Sequence, residues 1–153
     1  MPSTTMSVSY SQIAVFDGRL DPPFNNWTDH HVQQGFSWRA GSVSFKTLIH
    51  SGRARVSYRI STVYTPQPGT IRSIVVPFMV ESGATIEIAT IEAALPVTIE
   101  PGPYSLIYES GLTGTKNWIQ LTFVPGQRSE ADILVCDDEL HPIQPLLMIA
   151  DPA

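Results

Sequence analysis

Apolar and polar residues alternate one for one along most of this chain, in short runs separated by turn residues. That is the period of a strand with one buried face. In "MSVSYSQIAVF" (residues 6–16), Met6, Val8 and Tyr10 stand opposite Ser7, Ser9 and Ser11. The apolar phase then slips by one to Ile13 and Val15, which predicts a β-bulge near Ser11–Gln12. "SVSF" sets Val43 and Phe45 on one side, and "RARVSYRIS" sets Arg53, Arg55, Ser57 and Arg59 opposite Ala54, Val56, Tyr58 and Ile60. "IRSIVVPFMV" ends in a nearly continuous apolar run, as in a strand buried on both faces. Its Pro77 has no N–H for a ladder and predicts an edge position or a bulge. "TIEIATI", "YSLIYES", "NWIQLTFV" and "ADILVC" follow, between Ser-Gly, Pro-Gly and Thr-Gly turns. About nine or ten short strands at this spacing predict an all-β fold, an antiparallel β-sandwich or flattened barrel.

One stretch departs from the alternation. In "FNNWTDHHVQQGFSW", Thr28 is a capping residue, Asp29 falls in the positive first turn, and Gly35 supplies a left-handed stop. These predict one short helix near residues 28–34, with Trp27 packing back on the turn. The end of the chain, residues 137–153, is acidic, then proline-broken and apolar. It reads as a tail, a short helix followed by an extended segment.

Composition supports the β reading. Charged residues are 15% of the 153, against thirteen prolines and ten glycines, a mix that suits a loop-rich β protein. The length predicts a single domain over residues 1–153. Cys136 is the one cysteine, so no internal disulfide forms and a reducing compartment is expected. With no signal-like start and no run of roughly 20 apolar residues, the expected location is the cytoplasm. The formal charge is −5, unevenly spread: residues 1–60 carry six basic and three acidic side chains, and residues 61–153 three basic and eleven acidic. Such asymmetry is one mark of a charged interaction surface.

Candidate chemistry is sparse. His30 and His31 are consecutive, so on a helix they diverge by about 100° and do not share one metal ion. His50 and His141 stand alone, and no metal site or cofactor is expected. Cys136 precedes Asp137, Asp138 and Glu139, whose charges suppress a thiolate, and its place at the end of "DILVC" suits a buried structural thiol. No serine elbow, P-loop or zinc-protease motif is present, and no catalytic residue is assigned. Two binding patterns remain. Arg53, Arg55 and Arg59 share one strand face, the first two about 7 Å apart and the third two such steps further, comparable with phosphate spacing, although the bland reading is a face blunted against edge pairing. The carboxylates Asp137, Asp138 and Glu139, with Glu130 and Asp132 nearby, form either a solvated loop or a surface complementary to a basic partner.

"SVSYSQIAVFD" followed by "PPFNNWTDHHVQQGFSWRAGSVSF" resembles the competence protein J family. The order carries the likeness: a Ser-rich first strand ending in Val-Phe, a proline-bearing loop, a Trp-Thr-Asp turn, a Gly-aromatic step, then Gly-x-x-Ser-Phe. "VVPFMV" and "GPYSL" look like the family's later strand and turn. The resemblance is specific over residues 6–46 and thinner to about residue 136; where the family often has a second acid after Trp-Thr-Asp, this chain has His30. It implies a non-enzymatic protein that binds a nuclease and blocks it, in DNA uptake or as an immunity partner. The candidate partner-binding residues are Trp27, Asp29, His30, His31, Trp38, Asp137, Asp138 and Glu139. Competing readings are a nucleic-acid-binding module using the arginine face and a small-molecule-binding β-barrel. Direct nucleic-acid binding is not expected, because net acidity opposes it.

Overall fold

Eleven strands and one helix make up the computed structural model, which describes residues 1–153. In chain order they are β1 (Ser3–Val8), β2 (Gln12–Asp17), α1 (Asp29–Gln34), β3 (Phe36–Arg39), β4 (Ser42–Lys46), β5 (Gly52–Ile60), β6 (Thr70–Val80), β7 (Ile86–Ala89), β8 (Ala94–Val97), β9 (Gly102–Thr113), β10 (Lys116–Pro125) and β11 (Asp132–Val135). A six-stranded sheet, β1-β5-β10-β9-β6-β11, faces a five-stranded sheet, β3-β4-β2-β7-β8. Both sheets keep free edges, so the fold is a sandwich and not a closed barrel. Alternate side chains from the two inner faces fill the space between them, among them Ile13, Val15, Phe36 and Phe45 from one sheet and Val56, Ile74, Leu106 and Leu121 from the other. Phe45 stacks on Tyr108 across the layers at 4.8 Å.

The short strands β3 and β8 carry too few alternating positions to stand out as sequence patterns; with the first run divided into β1 and β2, they bring the count to eleven. Pairing is antiparallel throughout except between β5 and β10, which run parallel with Val56 opposite Ile119. The phase slip near Ser11 is not a bulge. Tyr10 (φ 58°) and Ser11 (φ 55°) both take left-handed conformations, and a Ser9–Gln12 bridge closes the two-residue turn between them, the pattern of a type I′ turn. The chain leaves one sheet at Val8 and enters the other at Gln12, and the apolar phase resets because the core lies on the opposite side of the second sheet. Pro77 is edge-like as expected: β11 covers only residues 73–75 of β6, so the ladder beyond needs no N–H from position 77.

The outer face of the six-stranded sheet is covered in part by the β5–β6 loop, residues 61–69. Beneath it Glu109 is fully buried, and its Oε2 accepts from Tyr64 Oη (3.0 Å), Gln67 N (2.9 Å) and Thr70 Oγ1 (3.2 Å). Burial first, and then the Glu109 hydrogen bond, push the Tyr64 phenol up to about 12.

The tail contains no helix. Residues 141–153 run extended and are bonded to the segment around α1. Leu147 exchanges two hydrogen bonds with the Gln34 side chain, Asn26 N donates to Asp151 O, and Ala153 N donates to Phe24 O.

Candidate functional site

Thr28 caps α1 from an extended backbone, Asp29 sits in the first turn, and Gly35 ends the helix at φ 86°, as the sequence predicts. The cap has an unusual third partner. His31 Nδ1 accepts from Thr28 N at 3.0 Å while His31 Nε2 bonds Ile149 O at 2.9 Å. The acceptor role of Nδ1 makes Nε2–H the donor, so one neutral imidazole closes the capping box and fastens the tail. His31 is 2% exposed, so it presents nothing to a partner. Replacing His31 with alanine removes the partner of two backbone groups, Thr28 N and Ile149 O, and is expected to cost about 1 kcal/mol. Urea unfolding measures this, and a loss under 0.5 kcal/mol would refute the role.

Trp27 is half-buried. Its indole meets the His31 ring edge-on at 6.5 Å and donates from Nε1 to Gln12 Oε1 at 3.2 Å. It therefore anchors the helix to the Tyr10–Ser11 turn. That turn is held in place by Thr47 N donating to Ser11 O and Ser11 N donating to His50 O. Tyr10 itself is 72% exposed and Val32 on α1 is 40% exposed. Together with Gln12, Trp27 and Lys46 they line a shallow, mainly apolar groove of about 400 Å³.

The acidic cluster arrives at the same end of the sandwich. His141 N donates to Gln33 O at the last turn of α1, and the Leu140 side chain lies against Gly35. Asp137 is consumed internally: its carboxylate takes a two-pronged pair of 2.7 Å bonds from Arg72 Nε and Nη2. The Arg72 side chain is fully buried and also donates to Lys46 O at 2.8 Å. Glu139, 3.8 Å from the guanidinium, is 56% exposed, and Asp138 is exposed. Asp137 thus aims the cluster while Asp138 and Glu139 face outward. Cys136 is an exposed thiol, not the buried one expected, because it follows β11, an edge strand covered on one side only by β6.

Other sequence candidates lie elsewhere. Half-buried Trp38 donates to Pro77 O at 2.8 Å, at the seam where β3 meets β6. His30 is half-buried on α1, and its Nε2 has no partner. No three His, Cys, Asp or Glu side chains converge as a metal site. The arginine strand is interior, flanked by β1 and β10, so edge protection does not explain it. Arg53 and Arg55 are exposed, while Arg59 is tied to Thr65 O and Thr122 Oγ1.

The site is therefore an end face: exposed Tyr10 and Val32 line the groove, Asp29 lies on the same helix as Val32, and Asp138 and Glu139 belong to the segment bonded to that helix through His141. Ser11 Oγ lies 2.9 Å from His50 Nδ1, but this hydroxyl–imidazole pair is exposed and stands beside a shallow groove; exposed aromatic and aliphatic groups beside charged ones are the anatomy of a protein-binding surface. Sequence reading missed Tyr10 and Val32 because Tyr10 continues the apolar phase of Met6 and Val8. The adjoining phase break was the available signal.

A family model described as Competence protein J (ComJ) matches residues 5–124. The DNA-entry nuclease inhibitor of Bacillus subtilis (strain 168) is 29% identical over 102 residues, 66% of this chain and 75% of that protein. The crystal structure of ComJ from Bacillus subtilis, described as inhibitor of the DNA degrading activity of NucA, superposes with a TM-score of 0.72. That match has 23% identity and covers 82% of this chain and 96% of the other.

Proposed function

Because the chain belongs to the competence protein J family, we propose that it inhibits a nuclease by binding it, with no catalysis of its own. The nuclease docks on the end face. The observation that carries this placement is Tyr10, a large ring left 72% exposed at a backbone position that most residues avoid. Nuclease clefts are basic because they hold phosphate, and the outward carboxylates Asp29, Asp138 and Glu139 complement such a surface. The charges speed encounter and set register, and the aromatic contact supplies most of the affinity. The protein works in the cytoplasm, where an exposed lone thiol at Cys136 is kept reduced.

The test begins with tagged protein purified from its own cells together with any nuclease it retains. Once separated, the nuclease should cleave added DNA, and restoring the chain at equal molarity should stop cleavage. Charge reversal at Asp138 and Glu139 together should weaken inhibition about tenfold, chiefly through slower association at low salt. DNA cleavage by the chain itself, or no inhibition at large excess, would overturn the proposal.

A further inference from the structure

The outer face of the six-stranded sheet holds a second site that shares no residue with the end face. Ile119, Leu121 and Phe123 of β10 enter the core, so Lys116, Trp118 and Gln120 stand on the other side. They line a groove of about 460 Å³ together with Arg55 and Gln67, a volume that fits a small ligand. Trp118 lies directly opposite Arg55 in the parallel β5–β10 pair, and the intervening spacing is roughly 5 Å.

Three observations give this groove the character of a built site. The indole of Trp118 is seated on Gly111, where an added Cβ would come within 2.6 Å of the ring. The ring is thus held against the sheet by a glycine notch. The Gln120 side chain lines the groove although the residue is only 4% exposed, and its Nε2 has no hydrogen-bond partner. Leaving a buried N–H unmatched is unfavourable unless something supplies an acceptor. Finally, the lining contains two cations, Arg55 and Lys116; the one carboxylate beside them, Glu109 directly opposite Gln120, is buried beneath the 61–69 loop and bonded there through Oε2. Arg55 donates to Ser3 Oγ at 2.9 Å and keeps its other N–H groups for a ligand.

We propose that this groove binds a nucleotide unit. The base stacks on Trp118, the phosphate is held by Arg55 and Lys116, and the Gln120 amide donates to an acceptor on the base. A bare anion has no use for the aromatic plane, and an apolar ligand has none for the two cations. Their combination with a buried amide donor is the chemistry by which single nucleotides are held. The unit is either a free mononucleotide or one residue of a single strand.

Calorimetric titration with a deoxynucleoside monophosphate, the matching nucleoside, inorganic phosphate and a single-stranded oligonucleotide tests this. The nucleotide should bind, with nucleoside and phosphate each about tenfold weaker or worse. Lys116→Ala and Trp118→Leu should each weaken binding about tenfold. Lys116 is exposed, so its variant tests the site without touching the fold. Tighter, more salt-dependent binding of the oligonucleotide identifies the ligand as a strand, and equal affinity identifies it as a free nucleotide. No binding at millimolar nucleotide, phosphate binding as tightly as nucleotide, or an unaffected Lys116→Ala variant would each overturn the proposal.

Discussion

Replacing Asp137 with alanine is expected to cost about 3–5 kcal/mol of folding stability, more than replacing Arg72 with methionine. Arg72 is fully buried, and a guanidinium cannot shed its charge at any accessible pH. Without Asp137 it keeps hydrogen bonds to Lys46 O and Thr47 O, but its one close counter-charge is lost. Glu139 at 3.8 Å and largely exposed replaces only part of it. The reverse change is milder. Methionine fills much of the arginine volume, and Asp137, 13% exposed, can turn toward water. Paired urea denaturation curves measure both losses. Equal losses, or a larger one for Arg72→Met, would show that the buried guanidinium is not the controlling charge.

The same pair sets a pH dependence. Burial acts to raise the Asp137 pKa, but the hydrogen bonds and charge of Arg72 outweigh it and hold the group below its ordinary 3.8. Asp17 is also held low, first by the Arg19 side-chain hydrogen bond and against its own burial. A carboxyl lowered on folding stabilises in full above its unfolded pKa, and that stability is lost as pH falls through the folded value. The protein should therefore lose stability below about pH 4, and Asp137→Ala should lose less over the same range.

Tyr10→Gly is expected to move stability and function in opposite directions. A left-handed backbone costs a residue with a Cβ about 1–2 kcal/mol, so glycine at φ 58° should raise stability by up to about that amount. The same change removes the exposed ring and should weaken nuclease binding by about 2 kcal/mol, near 30-fold. Strain retained at an exposed position points to function at that position. Thermal melts and inhibition titrations on one variant read both quantities. If Tyr10→Gly inhibits as well as the parent chain, the end face is not the nuclease contact.

Much of the candidate site was visible residue by residue and invisible as a site. Thr28, Asp29 and Gly35 announce the helix because capping acts over three or four residues. Nothing in the sequence links Asp137 to Arg72, which lies 65 positions away, so a carboxylate read as outward proved to be an internal anchor. His31 had the same fate: its partner Ile149 is 118 positions distant. Asp138 and Glu139 kept the exposure their neighbours promised, since nothing distant returned to cover them.

What the sequence determined by itself was local: the β class from its period of two, the single helix from its caps, and the resemblance carried by residues 6–46. Those signals come from steric and hydrogen-bonding choices within a few residues, and they survive whatever the rest of the chain does. Tertiary structure alone decided which sheet each strand joined, that β5 and β10 run parallel, and which charged groups were buried. Each of these depends on pairing segments far apart in the chain, and alternation specifies that a face is buried without specifying what buries it. The turn at Tyr10–Ser11 lies on that boundary, where a one-residue slip in a local pattern marked the crossing from one sheet to the other.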